Sequence, residues 1–98
     1  MDVAAVVLPD VPKRDTAYNG WKNRTTWNIM LWLDNDEACY RFYVERVREL
    51  TRKGLKITGG RVRLIAMDAL GATTPDGCKL TAKCVDWTAI AEAMRESA

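Results

Sequence analysis

The sequence predicts an all-α fold, a compact bundle of roughly four short helices behind an irregular N-terminal arm. Three observations carry this reading. Tyr40, Tyr43, Val44, Val47 and Leu50 recur at helical spacing. Capping residues and glycines punctuate the chain where helices should start and stop. The connections between these segments are short, which favours antiparallel neighbours. A chain of 98 residues is one domain, placed at 17–98 behind an arm at 1–16.

The arm holds Pro9 and Pro12, which forbid a continuous helix, and Pro9 biases Leu8 toward extended backbone. Asn19-Gly20 is a turn signal. Asn23 or Thr25 then caps a first helix. Trp27, Met30, Leu31 and Asp34 follow i, i+3, i+4, i+7 spacing, and Ile29, Trp32 and Leu33 make this helix apolar nearly all round.

Asp34-Asn35-Asp36 ends it, with Asn35 expected to cap a second helix carrying Asp36 and Glu37 in its first turn, where the helix dipole favours anions. Arg52 and Lys53 close that helix and Gly54 follows as the residue past the cap. Arg41–Glu45 and Glu49–Lys53 are candidate i, i+4 ion pairs. Thr58 caps a third helix whose buried face is Val62, Ile65, Ala66 and Ala69; Val62 to Ile65 also suits a strand. Gly71 stops it, and Ala72 to Gly77 is loop chemistry throughout. Cys78 to Cys84 reads either as a helical turn or as an extended connection. Asp86 caps a last helix with Trp87, Ile90, Ala91 and Met94 on one face.

Composition narrows the function. The chain has no His, the commonest general base near neutral pH, and its three Cys form no CxxC pair. No metal or cofactor is implied, and an enzyme is not expected. The cysteines are expected to be reduced and partly buried, with a Cys78–Cys84 bridge as the alternative. Val3 to Leu8 is too short to cross a bilayer and lacks the basic flank of a signal peptide, so the cytoplasm of the cell that makes the protein is the expected compartment.

The net charge of +2 is unevenly spread. Between Arg41 and Arg63 eight basic residues face only two acidic ones, a net +6, while the segments on either side are each −2. Within that basic middle, Arg46, Arg48, Arg52, Lys53, Arg61 and Arg63 are candidates for weak, sequence-independent phosphate contact. No recognition-helix, zinc-finger or RNA-binding motif accompanies them.

The most distinctive stretch is Tyr18 to Asn28, with Trp32 one turn later, which gathers three of the four Trp between Trp21 and Trp32. Asn and Thr close turns and cap helices, and Trp needs an apolar pocket and an acceptor for its indole N–H. Asn19, Asn23, Thr26 and Trp27 therefore read as architectural, with Trp27 in the core. Trp21 and Trp32, with Asp34, Asp36 and Glu37 close by, read as candidate partner-binding residues, since Trp anchors are favoured at interfaces.

The string N-G-W-x-N-x-x-T-W-N from Asn19 to Asn28, followed by L-W-L-D-N-D-E from Leu31 to Glu37, resembles small accessory proteins carried by phages, prophages and plasmids. Thr74-Pro75-Asp76-Gly77 and Val85 to Glu92 extend the resemblance over about half the chain. Its setting implies a mobile-element protein that inhibits a host defence system, such as a CRISPR effector or a restriction subunit, by stoichiometric protein binding. The resemblance does not fix the oligomeric state. The basic middle keeps a nucleic-acid-binding accessory role as the alternative.

Overall fold

The computed structural model describes residues 20–98, so the N-terminal arm and the Asn19 turn lie outside the described residues. Four helices follow one another: α1 Arg24–Asn35, α2 Glu37–Arg52, α3 Gly59–Leu70 and α4 Trp87–Ser97. Among the described residues there is no strand, only one isolated antiparallel bridge between Thr73 and Lys79. All six helix pairs touch, α3 with α4 and α1 with α2 most extensively.

Each helix starts on a side-chain cap. Asn23, Thr58 and Asp86 accept the backbone N–H of Thr26, Arg61 and Ala89 respectively. The α2 cap is Asp36, not Asn35: its carboxylate accepts the Cys39 N–H at 3.1 Å. Asn35 is the last residue of α1, and its side-chain amide donates to the Leu31 carbonyl one turn back on the same helix at 2.8 Å. Asp36 is also the C-cap of α1, so one non-helical residue joins two helices and fixes their hairpin.

The end of α2 is a Schellman motif. Gly54 N–H reaches the Thr51 carbonyl and Leu55 N–H the Leu50 carbonyl, with Gly54 at φ 77°. Gly71 ends α3 at φ 86°, ψ −160°, a region only glycine occupies cheaply. The i, i+4 pairing on α2 differs from the expectation: Arg41 bonds back to Glu37, which lies in the first turn, and not to Glu45. Glu49 takes Lys53 at 3.5 Å and also Arg46 at 3.8 Å.

The core is one apolar cluster fed by all four helices, with Leu33, Tyr43, Val47, Val62, Ile90 and Met94 almost wholly buried. The expected faces of α3 and α4 are the buried ones, apart from Ala69 and Trp87 at half-burial, and Val62 to Ile65 is helical. On α2 Tyr40 slips out to the surface. On α1 the stripe is rotated: Thr26, Asn28, Ile29, Met30 and Leu33 are buried, while Trp27 and Leu31 are half-buried. Trp27 is thus not the core residue its spacing suggested. The helix turns two polar side chains inward because the 71–86 connection offers them partners.

That connection is neither helix nor strand. Ala72 accepts the Leu80 N–H, and Thr74 exchanges bonds with Cys78, so the segment folds back on itself before Leu80 and Val85 plug into the core. The cysteines are free, with Cys78 buried, Cys39 half-buried and Cys84 exposed. No helix among the described residues is long and apolar enough to cross a membrane.

Candidate functional site

Three surfaces collect the chemistry-bearing residues, and the first turns out to be a structural seam. Asn28, buried on α1, accepts the Thr74 hydroxyl at 2.6 Å and donates its amide to Asp76 at 2.8 Å. Trp32 lies one turn further and donates its indole N–H to the same Asp76 oxygen at 2.9 Å. At the start of α1, Asn23 donates to the Cys84 carbonyl, and the Thr26 hydroxyl accepts the Asp86 N–H at 3.0 Å. Thr26 in turn donates to Asn23, so the buried Thr26 hydroxyl and the half-buried Asn23 amide are both satisfied. The bonds from Asn28 and then from Trp32 hold the Asp76 carboxyl below the usual carboxylate range.

The second surface lies on the other flank of α1. Trp21, Trp27, Met30, Leu31, Asp34 and Asn35 line a shallow groove of about 150 Å³. Trp21 packs partly against the core from this side. The Asp34 carboxylate accepts the Tyr43 hydroxyl at 2.5 Å. Burial pushes Asp34 above its ordinary value, with the Tyr43 bond opposing, and burial likewise raises the Tyr43 phenol. Asp36 and Glu37 continue an acidic edge from this groove along the start of α2. Each of these three carboxylates has an intramolecular bond, to Tyr43, Cys39 and Arg41. An ionised carboxylate has room for several donors, so each keeps accepting capacity. Trp32 is on the seam side, apart from this groove.

The third surface gathers part of the basic middle. Arg48 and Arg52 of α2 meet Arg95 of α4 along a groove of about 440 Å³. The other basic candidates are dispersed. Arg46 pairs with Glu49 and lies over the Phe42 ring, Lys53 pairs with Glu49, and Arg61 bends back to the Lys56 carbonyl at 2.8 Å. Arg63 is exposed on α3.

Burial, then Asp36, raises Cys39 and keeps it protonated.

The family model of DUF7249, a family of unknown function, matches residues 14–98. The chain belongs to this family. No curated protein and no solved structure matches it. The DUF7249 match takes in all four helices, the 71–86 connection and the three surfaces described above.

Two residues central to these surfaces escape sequence reasoning. Asp76 sits in a Thr-Pro-Asp-Gly string that reads only as a loop, although a semi-exposed Trp with an indole N–H to satisfy is a signal that some acceptor lies near. Arg95 stands alone in an acidic C-terminal stretch and joins Arg48 and Arg52 only through the packing of α4 on α2.

Proposed function

We propose that this DUF7249 chain acts by stoichiometric protein binding, without turnover, as a mobile-element protein that blocks a host defence complex. A Cas effector is the first candidate and a restriction subunit the second. The observation that carries the reading is the tryptophan groove of α1. Trp21 and Trp27 flank it, Asp34 sits in it, and Asp36 and Glu37 extend the negative edge beyond it. Large aromatic side chains beside carboxylates form an anchor for a basic, partly apolar surface. Nucleic-acid channels of defence nucleases are lined with Lys and Arg and offer such a surface. The resemblance of the Asn19–Asn28 string to phage and plasmid accessory proteins supplies the biological setting.

A titration tests this. Purified Cas effectors and restriction enzymes, each assayed for cleavage, should lose activity near a fixed molar ratio of added protein. Trp27→Ala and Leu31→Ala should raise the amount needed, because both side chains line the groove. Inhibition that persists far below the nuclease concentration would show turnover and overturn the reading. Unchanged cleavage across both classes would remove the inhibitor assignment.

A further inference from the structure

The arginine groove between α2 and α4 is not used by the reading above. Its floor is Val47 and Ile57, both buried. Its rim is Arg48, Arg52 and Arg95, with the Thr51 side chain between them. Among the described residues no Asp or Glu side chain lines it, and its one acidic group is the main-chain carboxyl of Ala98, the last residue of the sequence. Glu49, the nearest acidic neighbour in sequence, is held away by Arg46 and Lys53. Glu45 belongs to the adjoining groove with Tyr40, Arg41, Val44 and Arg48.

The guanidinium groups are placed rather than scattered. Arg48 and Arg52 are four residues apart, hence neighbours on one helix face. Arg95 arrives from α4 and is pinned by an Nη1 bond to the Ile57 carbonyl at 2.9 Å. Arg48 gives only its Nε, at 3.5 Å, to a main-chain carboxylate oxygen of Ala98. The Arg52 side chain makes no hydrogen bond or ion pair with the described residues, so most N–H donors of the three groups remain available.

We infer that this groove binds a nucleoside phosphate, with the phosphate on Arg48, Arg52 and Arg95 and the nucleoside over Val47 and Ile57. Three guanidinium groups along one groove exceed what the single Ala98 carboxyl requires. They match a phosphate, which carries up to two charges and several acceptor oxygens in a geometry suited to paired N–H donors. The apolar floor beside them suits a flat, weakly polar ring, and guanidinium planes themselves stack on bases. The size agrees, since small-ligand sites span roughly 300–1,000 Å³. The same chemistry is presented by a free mononucleotide and by one residue of a single strand.

Titration of the full chain followed by amide NMR distinguishes these. The probes are adenosine monophosphate, adenosine, inorganic phosphate and a short single-stranded DNA. Adenosine monophosphate should shift Val47, Thr51 and Ile57 in a saturable way and bind more tightly than either adenosine or phosphate. Arg52→Gln should weaken it about tenfold, the loss expected for a charge-assisted hydrogen bond. Because the Arg52 side chain supports no bond to the described residues, its thermal midpoint should match the parent. Arg48→Gln provides a second variant with the same expected direction. DNA binding more tightly than the mononucleotide assigns the site to a strand, and the reverse assigns it to a free nucleotide. Absence of saturable shifts with adenosine monophosphate and DNA, phosphate binding as tightly as the nucleotide, or unchanged affinity in both variants would overturn the inference.

Discussion

The contact of α1 with the 71–86 connection and the contact of α3 with α4 hold the same domain together by different physics. The first is directional. Asn23, Thr26, Asn28 and Trp32 each meet a specific atom on Cys84, Asp86, Thr74 or Asp76. The second is apolar, built on Val62, Ile65, Ala66, Ile90, Ala91 and Met94, with little polar chemistry between the helices. At its start it is close enough that a β-carbon on Gly59 would stand 3.2 Å from the Trp87 β-carbon. Hydrophobic burial supplies stabilisation and tolerates rearrangement, whereas buried polar pairs specify one register and penalise every other. The irregular connection needs the second kind of help, since it has no helix of its own to present a stripe.

The largest effect should come from breaking the apolar contact. Met94 is fully buried where α4 meets the cluster. Met94→Ala should cost about 2–5 kcal/mol through lost transfer energy and the cavity left behind. Chemical denaturation read by far-UV circular dichroism checks this, and a loss under about 1 kcal/mol would mean that the site collapses or that the helix contact is looser than described.

Next in size is the directional contact. Asn28→Ala leaves the buried Thr74 hydroxyl without its acceptor and Asp76 without one donor. The cost should be about 1–3 kcal/mol, the range for orphaning a buried polar group. Hydrogen exchange should separate the two contacts. Amides of Cys78 and Leu80 should lose protection in Asn28→Ala well before those of α3 and α4. Uniform loss across the domain would show that the seam and the bundle unfold as one unit.

The bundle was legible because its signals are local and periodic. The Thr58 and Asp86 caps, the Gly54 terminator, and the buried stripes of α3 and α4 follow from spacing and from cap chemistry alone. The seam was legible only by half. Asn23 and Thr26 announce a polar purpose, but their partners lie some sixty residues away, and no periodicity reports them. That same distance explains the Trp27 error. The stripe of α1 is set by where Asn28 finds Thr74, and the rotation moves the indole outward. Asn35 misled for a nearer reason, since an Asx residue serves either helix end and here it serves the earlier one. The arginine groove was invisible, because Arg95 joins it through packing.

A smaller loss should follow at Trp27. A half-buried ring outside the apolar cluster forfeits only part of its transfer energy, so Trp27→Ala should lower stability by about 1–2 kcal/mol. A loss of 3 kcal/mol or more, expected of a core Trp, would return it to the interior. The same variant should affect partner inhibition far more than stability.

The smallest effect is electrostatic, and it sets two carboxylates against each other. Asp76 on the seam is held below its ordinary value, chiefly by Asn28 and then Trp32. The unfolded chain therefore binds its proton first as acid is added, so the contribution is fully present above the ordinary carboxylate range and is lost as pH falls through the depressed folded value. Asp34 on α1 has the opposite sign. Burial raises it, so the folded chain takes up that proton first. Its ionisation costs stability at neutral pH, and the cost disappears as pH falls through the raised value toward the unfolded one. Asp76 is exposed, so its share should stay below about 1 kcal/mol. Thermal midpoints of the parent, Asp76→Asn and Asp34→Asn between neutrality and strong acid separate the two. The gap between parent and Asp76→Asn should be widest near neutral pH and close in acid. The gap between parent and Asp34→Asn should move in favour of the parent on mild acidification. Parallel curves for all three proteins would mean that neither carboxylate is coupled to folding, and the hydrogen bonds to Asn28, Trp32 and Tyr43 would then have to be weaker in solution than their lengths imply.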